Sequence, residues 1–105
     1  MEQPNLDKIK EIAGDQLDFL NEMIQIIKEE LPVEVDTYNK NLNTGQFLKS
    51  AEDVHKLKHK ISILNMANSY ELAINFENDL RAGNPELAEQ FEETLQKMLV
   101  FVAKL

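Results

Sequence analysis

The chain has no cysteine, which excludes a disulfide scaffold, a thiolate metal centre and thiol catalysis. Positive charge is also scarce. Eleven Lys and Arg stand against 19 Asp and Glu, leaving a formal charge of −8, the wrong sign for neutralising phosphate backbones or sitting on anionic lipid. Nucleic acid and membrane surfaces are therefore not expected partners. No apolar run approaches the roughly 18 residues that cross a bilayer, and the opening Met1-Glu2-Gln3-Pro4 lacks the basic and apolar regions of a secretory signal. The expectation is a soluble, cytoplasmic protein, and the start methionine suggests a free-standing one. Glycine-rich phosphate loops, a Gly-x-Ser-x-Gly elbow and a nucleophile-base pair are missing. Three glycines and three prolines leave few places to turn, and no stretch sustains a period of two. That scarcity argues for a small number of long helices.

The 105 residues, 43% of them hydrophobic, suffice for one domain, 1–105, with a modest core. Punctuation falls at Gly14, Pro32, Gly45, Gly83 and Pro85, and the intervening segments carry apolar residues at three- and four-residue spacing. A short helix, about Leu6 to Ala13, shows Leu6, Ile9 and Ile12 on one face. Asp15 is placed to cap a second helix, whose stripe of Leu17, Leu20, Ile24, Ile27, Leu31, Val35, Tyr38 and Leu42 runs through Pro32 as one bent element. The third follows Gly45, with Phe47, Ala51, Val54, Leu57, Ile61 and Leu64 inward. The fourth, about Ser69 to Ala82, buries Tyr70, Ala73, Phe76 and Leu80. Asn84 and Pro85 supply a cap and a first-turn proline for the last, whose core face is Leu87, Phe91, Leu95, Met98, Val102 and Leu105. These elements predict an all-α fold: an antiparallel up-and-down four-helix bundle with a short N-terminal capping helix.

Charge is unevenly spread along that bundle. Lys49, Lys56, Lys58 and Lys60 crowd one stretch of the third helix, opposed there only by Glu52 and Asp53, and both histidines, His55 and His59, lie in the same stretch. At 100° per residue, His55 points about 140° and His59 about 180° from the core direction. Leu48 and Ile63 also turn outward, so the exposed face reads Leu48, Glu52, His55, His59, Ile63. Surface histidines and isolated exposed aliphatics are ordinary. The combination points further, because a neutral, reachable imidazole can act as a nucleophile, and adjacent lysines favour the neutral ring and then attract a phosphoryl group. Flanking apolar side chains would let another protein dock over it.

Val54-His55-Lys56-Leu57-Lys58, mid-helix in the third long element of an acidic chain, resembles the signature of histidine-containing phosphotransfer domains. That signature places a small or apolar residue before the phosphorylated His and an aliphatic residue, Lys and Gly after it. The resemblance spans essentially the whole chain, with a turn at Asn43-Thr44-Gly45 ahead of the active helix, Ser62, and Phe76-Glu77 where the family often has Leu-Glu. It implies that His55 accepts a phosphoryl group from the aspartyl phosphate of one receiver domain and returns it to another. Lys58 is the matched phosphate-facing lysine. From the helix face itself, Lys56 and His59 are further candidates to support the phosphate, and Leu48, Glu52, Ser62, Ile63 and Met66 are the candidates for docking a partner. The implied partners are response-regulator receivers and a hybrid sensor histidine kinase. The chain would be a phosphocarrier, not an enzyme, and would hold no cofactor, since the magnesium ion belongs to the receiver. Two positions depart from the pattern. His59 stands where the family has Gly, which could obstruct docking, give the phosphoryl group a second hydrogen bond, or select different receivers. Asn65 stands where a second Gly often closes the helix, and Asn tolerates the left-handed conformation a helix end needs.

Two other readings use the same residues. One keeps the fold without the chemistry, as an adaptor gripping a partner through Leu48, Ile63 and Met66 on the His55 and His59 face. The other treats His55 and His59 as an i, i+4 zinc pair, but with Glu52 as the only carboxylate on that stripe the ligands are too few, and no metal is expected.

Overall fold

The computed structural model describes residues 2–105 and contains five helices and, among these residues, no strand: α1 (Asp7–Ala13), α2 (Leu17–Asn43), α3 (Phe47–Ile63), α4 (Ala67–Arg81) and α5 (Ala88–Ala103). The chain is all-α. Helix α2 packs on α3, α3 on α4, α4 on α5, and α5 returns to α2, while α1 lies against α2. The four long helices thus close a ring around one core. Its centre is aromatic: Tyr38 lies edge-on to Phe76 and Phe91, with ring centroids 6.2 and 5.5 Å away. Around it the predicted stripes of α3 and α4 are buried at Ala51, Val54, Leu57, Ile61, Ala73, Phe76 and Leu80. Each large apolar side chain withdrawn in this way contributes about 1.5–3 kcal/mol.

Helix α2 is continuous through Pro32. At 27 residues against the 17 of α3, it overhangs its neighbours at about 1.5 Å per residue, and that overhang explains the first departure from the stripe. Leu17 is exposed and Ile24 half-buried, whereas Ile27, Leu31, Val35 and Tyr38 are buried. Helix α1 covers the overhang with Ile9 and Ala13, an i, i+4 pair, and leaves Ile12 outside. Leu105 is likewise exposed, because α5 ends at Ala103 and the stripe has no helix to carry it further.

Capping is only partly as the sequence predicts. Gln16, not Asp15, precedes α2, and it makes no side-chain cap. Asn84 Oδ1 accepts the Glu86 N–H at 3.0 Å, but this caps a turn through Pro85 to Ala88, after which α5 begins. The α4 start is capped from far away, by Glu2, whose carboxylate accepts the backbone N–H groups of Asn68 at 2.7 Å and Ser69 at 2.9 Å. Partial burial acts to raise the Glu2 pKa, and these bonds and the Lys97 charge outweigh it and hold the carboxyl below its ordinary value. The reversal between α3 and α4 depends on Asn65, the one non-glycine residue at positive φ (64°) among those described. Its Nδ2 donates to Asn5 Oδ1 at 3.2 Å, and Asn5 N–H donates to Leu64 O at 3.0 Å.

Candidate functional site

The α3 stripe of Val54, Leu57, Ile61 and Leu64 faces the core, and that orientation turns the opposite face of the helix outward. His55 is 54% exposed, and Lys56, His59, Glu52 and Leu48 are exposed along the same helix. The two imidazoles sit edge to face, with centroids 5.5 Å apart and planes at 70°.

Helix α4 supplies what the third helix alone cannot show. Glu77, 11% exposed, reaches across the α3 and α4 seam, and its Oε1 lies 3.2 Å from His55 Nδ1 and 3.0 Å from Lys58 Nζ. Its Oε2 accepts from Arg81 at 3.0 Å. Burial acts to raise the Glu77 pKa, but the bonds from Lys58, Arg81 and His55 outweigh it and hold the carboxyl below its ordinary 4.5. A persistent carboxylate therefore faces Nδ1. It favours the ring form with the proton on Nδ1, leaving the lone pair on Nε2. Among the described residues Nε2 has no hydrogen bond to the protein.

The residues expected around His55 are not all exposed beside it. Met66 is 1% exposed and belongs to the core, because the turn at Asn65 ends the helical register and folds the next side chain inward. Ile63 is half-buried against the core, covered where α4 begins beside the last turn of α3. It lines a cavity of about 200 Å³ with His59, Ser62 and Tyr70. Lys58 is only 15% exposed, paired with Glu77 and 5.9 Å from the Tyr70 ring centroid. Lys60 turns to α2 instead, with Nζ 2.9 Å from Glu30 and 3.2 Å from Glu34. Burial works against its ammonium, yet these two carboxylates more than compensate and raise its pKa. Lys56 lines a different groove, with Val33, Glu34, Thr37 and Asp53. The basic collar is thus dispersed, and the charged group touching His55 is a carboxylate. Glu77 and Arg81 were not legible from periodicity, although an acid and a base at i, i+4 beside the α4 core stripe are a signal for such a pair.

The all-helical domain thus presents a half-exposed imidazole with a carboxylate 3.2 Å from one of its nitrogens. The family model of the Hpt domain matches residues 22–102, and the chain belongs to the Hpt domain family. Hpt domains are the histidine phosphocarriers of two-component phosphorelays, working with receiver domains and kinases and not as complete catalysts. No curated protein and no solved structure matches the chain. Among the described residues no helix is long and apolar enough to cross a membrane.

Proposed function

We propose that His55 Nε2 is the phosphoryl acceptor of this domain, taking the group from an aspartyl phosphate on one receiver and delivering it to the aspartate of another. The observation that carries this reading is the contact of Nδ1 with Glu77 on a ring whose side chain is half exposed. The Nε2 lone pair attacks phosphorus as the bond to the aspartyl oxygen breaks, and the aspartate leaves with that electron pair. The Nδ1 proton stays on the ring, where Glu77 offsets the positive charge that phosphorylation creates. Return of the group is the same step reversed. Magnesium, held by the receiver, supplies the charge neutralisation on the phosphoryl oxygens.

Lys58 acts in this scheme by fixing the Glu77 carboxylate, which makes it a positioning residue. Exposed Leu48 and Glu52, with Ser62 and Ile63 around the small cavity, form the docking face. The adaptor alternative is weaker, because Met66 is in the core and Ile63 is half-covered. The proposal includes the finer architecture: α2 to α5 run up and down with α1 across one end, forming a single domain over 1–105. A cytoplasmic setting and a hybrid sensor kinase upstream belong to the same reading.

Incubation with a phosphorylated receiver tests it. Acid-labile, base-stable label should appear on the wild type and vanish in His55→Gln. Label that survives in that variant and is lost in His59→Gln would assign the role to the other ring.

A further inference from the structure

A phosphoryl group on His55 Nε2 places a dianion at the outward edge of the ring, and the groups able to receive it can be enumerated from the structure. On α3, Lys58 is engaged with Glu77, and Lys60 with Glu30 and Glu34. Lys56 borders the groove toward α2 with Asp53. From α4, Arg81 is held by Glu77. His59 has the position: it is exposed, makes no hydrogen bond or ion pair among the described residues, lies one turn along the same face, and its ring is 5.5 Å from that of His55. The two ring planes stand at 70°, an arrangement in which one ring turns its edge toward the other and can offer an N–H to a group carried there.

We propose that His59 is a phosphoryl-holding residue, its ring N–H donating to an oxygen of the group carried by His55 and prolonging the life of the N–P bond. The inference rests on His55 being the acceptor. Its physical reason is geometric: a hydrogen bond from the His59 ring to an oxygen of the dianion exists only while the group sits on the neighbouring ring. The bond is made in the intact phosphoramidate and lost as the group departs, and so it slows spontaneous loss to water. The carrier gains time to find its receiver.

The test needs no receiver. Potassium phosphoramidate phosphorylates imidazole directly: the N–P bond to His55 forms, the donor's own N–P bond breaks, and ammonia leaves with the electron pair. The decay of the His55 phosphoramidate resonance, identified as the one missing from His55→Gln, is then followed by phosphorus NMR in the wild type, His59→Ala and His59→Gln, with circular dichroism reporting helix content. His59→Ala should shorten the half-life about fivefold, the value of one ordinary hydrogen bond, since solvent at this exposed site offsets the extra strength that charge gives. His59→Gln, which keeps an N–H donor, should recover a substantial part. An unchanged half-life in His59→Ala overturns the inference, and so does a Gln variant that decays as fast as the Ala variant. Failure of the underlying reading is distinguishable, because with a phosphorylated receiver as the donor His55→Gln would then keep its label, or the wild type would take none.

Discussion

Replacing Glu77 by Gln retains the shape of the side chain and its carbonyl oxygen but removes the charge that faces His55 Nδ1 at 3.2 Å. A hydrogen bond to a charged group contributes about 1.5–3 kcal/mol where both partners are sheltered. Glu77 is sheltered, but the His55 side chain is 54% exposed, so water takes over part of the lost interaction. The loss of transition-state stabilisation should then lie near the lower end, about 1.4 kcal/mol, or tenfold in rate. Rapid-quench measurement of single-turnover transfer from a phosphorylated receiver separates this from docking. The plateau rate should fall about tenfold, and the receiver concentration giving half of it should not move. A Gln variant with the wild-type plateau would refute the role given to Nδ1. The same variant has a signature in acid. Because the Glu77 carboxyl is held below 4.5, its contribution to stability is complete above that value and is lost as pH falls through the lowered pKa. Urea unfolding from neutral pH downward should therefore show a shallower acid loss in Glu77→Gln, and equal slopes would contradict the assignment.

Three further outcomes are expected. Tyr38 is fully buried, and its hydroxyl has no hydrogen-bond partner; burial, and secondarily the charge of Glu92, pushes its pKa well above the ordinary 10.0. Tyr38→Phe should raise stability by about 1 kcal/mol by removing an unsatisfied group, and a calorimetric melt showing destabilisation would mean that the hydroxyl is satisfied. Asn65→Ala should cost about 1 kcal/mol in urea unfolding, from the positive φ and the lost bond to Asn5, whereas Asn65→Gly should cost less; equal losses would remove the backbone argument. Lys58→Ala should slow transfer by about threefold with helix content unchanged, since Arg81 and His55 still hold Glu77, and an unaltered rate would detach Lys58 from the site.

The fold was largely legible because the helices write their packing as stripes. Ala51, Val54, Leu57 and Ile61 on α3, and Phe91, Leu95, Met98 and Val102 on α5, are buried as their spacing requires. Extrapolation failed where a helix stopped or outran its neighbours, at Met66, Leu105, Leu17 and Ile12. The outward direction of His55 and His59 follows from the same geometry. Lysine placement does not, because a long side chain is free to snorkel toward whichever carboxylate a neighbouring helix offers. Lys60 reaches α2 and Lys58 reaches α4 for this reason. The Glu77 contact with His55 spans 22 positions, and the Glu2 cap on α4 spans 66 and 67. Such pairs are set by the packing of whole helices, and no local spacing encodes them.

The central claim concerns a single atom, and nitrogen NMR reads it directly. With the histidines labelled at both ring nitrogens and the protein phosphorylated by a receiver, phosphorus coupling should appear at Nε2 of His55, with the proton retained on Nδ1. Coupling at Nδ1, or at either nitrogen of His59, would contradict the account.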